Sequence, residues 1–203
     1  MSNKPSYHHG NLRQALLDAA CNLLDREGIE AVTIRAVARG AGVAHSAPAN
    51  HFKTRRDLLT ALAAQIFEAL AQTIQAKLVK SPPDPMLDRR DRLKLFASTV
   101  LEFGLAHPNR YRLLWRRDCL AVDDPHLLTQ MDVLYGPLIA LFSETPQNGN
   151  VSSETQGIAL WSMLHGYVAM RLDGNLIALN DERTGEPREL AIIDAFLEGI
   201  GDP

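Results

Sequence analysis

Apolar residues recur at helical spacing along most of this chain. Leu12, Leu16, Ala19 and Leu23 fall at intervals of four, three and four, with Ala15, Ala20 and Leu24 widening the stripe. That pattern predicts an amphipathic helix over residues 11–27. Gly28 can end it in the left-handed conformation. Thr33 then stands where an N-cap belongs, and Ile34, Val37 and Ala38 give a second, short helix its buried face. Ala41 and Gly42 close that helix; Gly42 supplies the positive φ of a tight turn, and Val43 packs back beneath it. A third helix must fit within residues 44–52. Pro48 keeps it short, because proline is tolerated only in a first turn, where its missing N–H has no partner to lose.

Thr54-Arg55-Arg56-Asp57 reads as a capping box with Asp in the usual place of Glu. It opens a long helix through Leu58, Leu62, Ile66, Leu70 and Ile74, which continues toward Lys80 until Ser81-Pro82-Pro83-Asp84-Pro85 stops it. Residues 88–106 form the next helix, apolar at Leu93, Phe96, Val100 and Phe103, and His107-Pro108 breaks it. Residues 109–117 are a short helix, basic outside, with Tyr111, Leu114 and Trp115 inside. Pro125 starts a helix through Leu127, Met131, Leu134, Leu138 and Leu141, and residues 145–150 are a loop. The last two helices span residues 154–172 and 188–200. Both carry apolar residues on more than one face, which predicts a second cover from a partner subunit and a four-helix homodimer interface. No strand pattern competes, so the fold is expected to be all-α.

Charge divides the chain more sharply than its net of −3 suggests. Residues 1–56 hold eight Lys/Arg against four acids, and residues 57–203 hold thirteen against twenty. A basic head on an acidic body suits a head that meets a polyanion. Residues 32–59 run as helix, glycine turn, short helix and capped long helix, the connectivity of a DNA-reading helix-turn-helix. We therefore expect two domains, a helix-turn-helix head over residues 1–56 and a larger helical body over 57–203.

Other classes find little support. Cys21 and Cys119 are far apart in contexts that look helical, which argues for free thiols in a reducing cytoplasm. No stretch approaches the roughly 20 apolar residues of a membrane span, and the N-terminus has no signal-peptide core. Metalloprotease, zinc-ribbon, phosphate-loop and serine-hydrolase motifs are all missing, so no enzymatic activity, cofactor or metal is expected. The pair His8-His9 is read as adventitious.

Tyr7-His8-His9-Gly10-Asn11-Leu12-Arg13, the run Thr33-Ile34-Arg35-Ala36-Val37-Ala38-Arg39-Gly40-Ala41-Gly42-Val43, and His51-Phe52 followed by a basic residue and Asp57-Leu58-Leu59 together resemble the N-terminal domain of the TetR family of bacterial transcriptional regulators. The resemblance covers about residues 7–60. It implies that residues 44–51 are the recognition helix in the major groove, while Thr33 and the start of the second helix approach phosphates. Arg35 and Arg39 share one face of that helix. His45, Ser46 and Asn50 are the side chains able to reach base edges, Ala47 offers a methyl contact, and His51 and Lys53 flank them. Arg55 occupies the family's usual Lys position at a helix start, a site for a phosphate. Two departures stand out. Ala44 replaces the usual Ser at the recognition-helix cap, and Ala49 replaces a Tyr that usually contacts phosphate.

In the body, Trp161-x-x-x-His165-Gly166 with Leu172-Asp173-Gly174 is similar to a C-terminal domain of one TetR subgroup. Gly166 is expected to permit close helix approach. The resemblance implies an effector pocket inside the body, with Phe96, Phe103, Trp115, Met131, Tyr135, Trp161 and His165 as candidate walls for a mostly apolar small molecule. The expected partners are a double-stranded DNA operator, that effector, and a second copy docked through the two C-terminal helices, with no membrane involved. The competing expectation is a TetR-fold ligand-binding or protein-interaction dimer whose DNA binding Ala44 and Ala49 have weakened.

Overall fold

The computed structural model describes residues 12–80, 88–143 and 151–199. Among these, all regular structure is helical: α1 (Leu12–Glu27), α2 (Ile34–Gly40), α3 (Arg55–Lys80), α4 (Arg89–Ala106), α5 (Pro108–Leu114), α6 (Pro125–Ser143), α7 (Ser153–Leu172) and α8 (Arg188–Gly199), with short 3-10 helices at Ile29–Ala31 and Ala47–Asn50. Among the described residues one isolated bridge pairs Asn180 with Pro187. No described helix is long and apolar enough to cross a membrane. The Tyr7-to-Gly10 motif, His8-His9, the proline-rich stop after Lys80, the 145–150 loop and Ile200 lie outside the described residues.

The chain forms two compact units. One holds the described residues up to Ile66 together with Asn109–Leu128; the other holds the described residues between Phe67 and Pro108 and those from Thr129 onward. This grouping does not follow the motif boundary at residue 56. The first turns of α3 are held to the segment after α5, because Arg56 Nη2 donates to the Leu120 carbonyl at 2.6 Å and the Ala121 N–H donates to Thr60 Oγ1 at 2.9 Å.

In the first unit, α1 buries Leu16, Leu17, Ala19, Ala20, Leu23 and Leu24 and packs on α2, whose Val37 and Ala38 are buried. Gly28, at φ 80°, ends α1 as expected; its N–H returns to the Leu24 carbonyl at 2.9 Å. Thr33 caps α2, its Oγ1 accepting from the Ala36 N–H at 3.2 Å. The end of α2 is a Schellman turn. The Gly42 N–H reaches Arg39 O at 3.1 Å, the Val43 N–H reaches Ala38 O at 3.0 Å, and Gly42 has φ 67°. The capping box is reciprocal, with Asp57 N–H to Thr54 Oγ1 at 3.1 Å and Thr54 N–H to Asp57 Oδ2 at 3.0 Å.

Three local expectations need correction. The element expected over residues 44–51 is one 3-10 turn, Ala47–Asn50. Pro48 has no N–H for the carbonyl of residue 44, and Ala47 N–H takes that acceptor at 2.9 Å instead. The helix expected over 109–117 starts at Pro108 and ends at Leu114, after which turns carry the chain past Arg116. Cys119 therefore lies in a turn, while Cys21 is on α1; both are free and half-buried.

In the second unit, α4 packs against α7 and α8. Phe96, Ala97 and Val100 of α4, Leu160, Leu164 and Val168 of α7, and Ile193 and Leu197 of α8 are buried. Lys94 Nζ donates to Asp194 Oδ2 at 2.7 Å across the α4–α8 contact. The glycine of close approach is Gly157, where an added Cβ would stand 3.4 Å from Ile139 Cγ1 of α6. At Gly166 an added Cβ would meet nothing within 4 Å, so its expected role within the chain is not seen.

Candidate nucleic-acid interface

The turn between α2 and the 3-10 helix brings the polar residues of the motif to solvent. Thr33, Arg35 and Arg39 of the α2 end, His45, Ser46, Asn50 and His51 of the recognition segment, and Lys53 just before α3 are all exposed. Pro48 and Phe52 are buried beneath them, the guanidinium of Arg13 lies 5.6 Å from the Phe52 ring centroid, and the His51 ring is 6.4 Å from that of Phe52. The short segment is thus anchored by two apolar residues of its own and displays the rest. Ala47 is half-buried, while Ala44 and Ala49 are exposed.

Chemically, this surface offers hydrogen-bond groups framed by cations. Thr33 Oγ1 uses a lone pair for the α2 cap and keeps its hydroxyl proton for an outside acceptor such as a phosphate oxygen. No ion pair with another described residue occupies Arg35, Arg39 or Lys53. No group of three or more His, Cys, Asp or Glu among the described residues could hold a metal.

Arg55 departs from this pattern. Its Nε donates to the Val32 carbonyl at 2.8 Å and its Nη2 to the Ile29 carbonyl at 2.6 Å, with Glu30 Oε2 at 3.3 Å. A second cluster was not anticipated: Arg110 Nε and Nη2 grip both carboxylate oxygens of Asp25 at 2.8 and 2.6 Å. Arg116 pairs with Asp118 through two bonds of 2.9 Å and lies 3.7 Å from Glu30. That pairing holds the Asp118 carboxyl well below, and the Arg116 guanidinium above, its ordinary range. These partners stand from 2 to 86 residues apart in sequence, and the long-range ones leave no local signal.

Among the candidate effector residues, Phe96, Tyr135 and Trp161 come together. The Trp161 ring meets Tyr135 edge-on at 4.6 Å between centroids and Phe96 at 6.4 Å, joining α7 to α6 and α4. Phe103 instead meets His107 at 5.4 Å. Trp115 belongs to the first unit, 5.8 Å from Tyr111, whose phenol burial pushes above its ordinary value. Met131 and His165 are half-buried, and burial lowers the pKa of the His165 imidazole, which favours its neutral form.

Known proteins place these features in one lineage. Residues 16–62 match the model of "Bacterial regulatory proteins, tetR family", and residues 93–192 match "Tetracyclin repressor-like, C-terminal domain". The uncharacterised HTH-type transcriptional regulator Rv0681 of Mycobacterium tuberculosis is 25% identical over 162 residues, which are 80% of this chain and 71% of that protein. Among solved structures, a protein of unknown function from Rhodococcus sp. RHA1 superposes with a TM-score of 0.77 at 25% identity, covering 97% of this chain and 98% of the other. The regulator FadR of Bacillus subtilis, solved with stearoyl-CoA, shares the fold with a TM-score of 0.67 at 14% identity, over 91% and 95% of the two chains. A helix-turn-helix segment matched by the family's N-terminal model is followed by a helical segment matched by its C-terminal model: the chain belongs to the TetR family of bacterial transcriptional regulators.

Proposed function

We propose that the protein is a cytoplasmic repressor that binds a near-palindromic operator as a homodimer and is released by a small, mostly apolar molecule. The observation that carries the DNA part is the exposed set Thr33, Arg35, Arg39 and Lys53 around His45, Ser46 and Asn50. In this reading residues 1–56 bind DNA and residues 57–203 bind effector and partner. Thr33, Arg35 and Lys53 contact phosphates, while His45, Ser46, Asn50 and the Ala47 methyl meet base edges. Two such heads would enter major grooves roughly 34–36 Å apart or a little more.

The homodimer reading draws support from α7. Ile158, Ser162, Gly166 and Met170 follow one another at intervals of four on one row of the helix. Ile158 is 58% exposed and Met170 44%. Small residues between two exposed apolar ones suit close packing of α7 and α8 on a second copy. The cluster of Phe96, Tyr135 and Trp161 is the proposed wall of the effector site. An effector that favours a splayed arrangement of heads would shift that population and release DNA.

The second reading, a TetR-fold dimer with weakened DNA binding, is favoured by the single-turn recognition element with alanine at positions 44 and 49. The two separate in one experiment, in which the purified protein is titrated with DNA from upstream of its own gene and then with a random-site selection, at two salt concentrations, with an R35A control. Saturable binding that weakens with salt and with R35A establishes the regulator. Binding to neither DNA source establishes the rival.

A further inference from the structure

Arg55 sits at the first residue of α3, where a cation beside free backbone N–H groups invites assignment to a phosphate. Its hydrogen bonds say otherwise. Nε and Nη2 reach the carbonyls of Val32 and Ile29 at 2.8 and 2.6 Å. Both acceptors belong to the turn that ends at Thr33, the cap of α2. That turn's own bonds, Ala31 N–H to Gly28 O at 3.3 Å, Val32 N–H to Ile29 O at 3.2 Å and Thr33 N–H to Ala31 O at 3.0 Å, are longer than either bond from Arg55. The entrance to α2 is therefore fixed from α3 at least as firmly as by its own turn.

Two further features oppose a phosphate role. Glu30 stands 3.3 Å from Nη2 and offsets the guanidinium charge, and the Arg55 side chain is only 35% exposed. The grip also needs a fork. Nε and Nη2 lie along one edge of a planar group at fixed separation, a geometry that a lysine ammonium cannot reproduce. The neighbouring Arg56 holds Leu120 from the same helical turn, so the start of α3 is fastened to two separate segments.

We infer that Arg55 is a positioning residue for DNA binding: by gripping residues 29–32 it sets the spacing between the start of α2, with Thr33 and Arg35, and the start of α3, with Lys53. The inference rests on the DNA-binding reading above and names a residue that controls it without touching DNA.

The test compares wild type, R55A, R55K and R35A on the selected operator across a salt series, at a temperature where circular dichroism shows each protein folded. Loss of positioning weakens R55A and R55K alike, by about fivefold, the worth of roughly one hydrogen bond, with the slope of log affinity against log salt unchanged. R35A, a phosphate contact, lowers that slope by about 1. A merely structural role would leave the affinity of the folded variants unchanged, and that result overturns the inference. So does a lowered slope in R55A with affinity and slope restored in R55K, the mark of a phosphate contact. If R55A does not fold, R55K, which keeps the charge, decides between the same outcomes. Failure of wild type to bind any selected DNA would instead remove the DNA-binding reading, and the inference with it.

Discussion

The pair of Arg110 and Asp25 permits a worked prediction. Asp25 lies in the last turn of α1, where the helix dipole is negative and a carboxylate is unfavourable unless a cation faces it. Arg110, on α5, supplies that cation through bonds of 2.8 and 2.6 Å, and Asn109 Nδ2 donates to the Asp25 carbonyl at 3.2 Å. The two side chains are 29% and 33% exposed, between the two well-measured limits. Exposed ion pairs contribute about 0.2–1 kcal/mol, and breaking a buried one costs about 3–5 kcal/mol. Two-pronged geometry with two-thirds burial places R110A at about 1.5–2 kcal/mol, because it removes the guanidinium that faces Asp25 at the negative helix end. D25A relieves that repulsion and lets Arg110 turn toward water, so it costs less, about 1 kcal/mol. At roughly 2–4 °C per kcal/mol for a chain of this size, R110A melts about 3–8 °C lower and D25A about 2–4 °C lower. Thermal and urea unfolding of both single variants and the double variant measure this, and the double should lose less than the sum because the pair is coupled. R110A melting within about 1 °C of wild type, or strict additivity, would refute the reasoning.

Three further outcomes follow from single sites. A49Y adds a phenol at an exposed position within the recognition turn and should tighten operator binding about fivefold through one new phosphate hydrogen bond of about 1 kcal/mol; an unchanged dissociation constant by fluorescence anisotropy would sink the idea. T54A removes one half of the reciprocal cap on α3 and should cost about 1 kcal/mol in urea unfolding, with no loss if the cap is idle. Burial lowers the His165 pKa, so the unfolded chain takes up a proton first as pH falls below about 6.5. Stability from this group is present above that pH and is lost as pH drops through the lower folded value. The urea midpoint should therefore fall from about pH 7 to about pH 5 less steeply in H165Q, and parallel curves would exclude this contribution.

Interactions that close within a few residues were legible in the sequence. The cap at Thr33, the left-handed glycines at positions 28 and 42, the box from Thr54 to Asp57 and the stripes of α1 and α3 each depend on partners at most five positions away, so residue type and spacing determined them. Pro48 likewise signalled a short recognition element, although its form as a 3-10 turn depended on which N–H took the carbonyl of residue 44. The exposed polar candidates around the 3-10 turn were named from the sequence by resemblance.

Tertiary structure alone decided how distant charges are spent. Arg55 reaches back 23 and 26 residues to carbonyls, Arg110 reaches 85 to Asp25, and Lys94 reaches 100 to Asp194. A guanidinium at a helix start looks the same in sequence whether it faces phosphate or a neighbouring turn. Only packing brings an acceptor within about 3 Å and removes the water that would otherwise compete for the bond. The same holds for the aromatic candidates. The resemblance named Phe96, Phe103, Trp115, Tyr135 and Trp161 as candidate walls of one pocket, but which rings meet depends on how α4, α6 and α7 pack, and that brought Phe96, Tyr135 and Trp161 together.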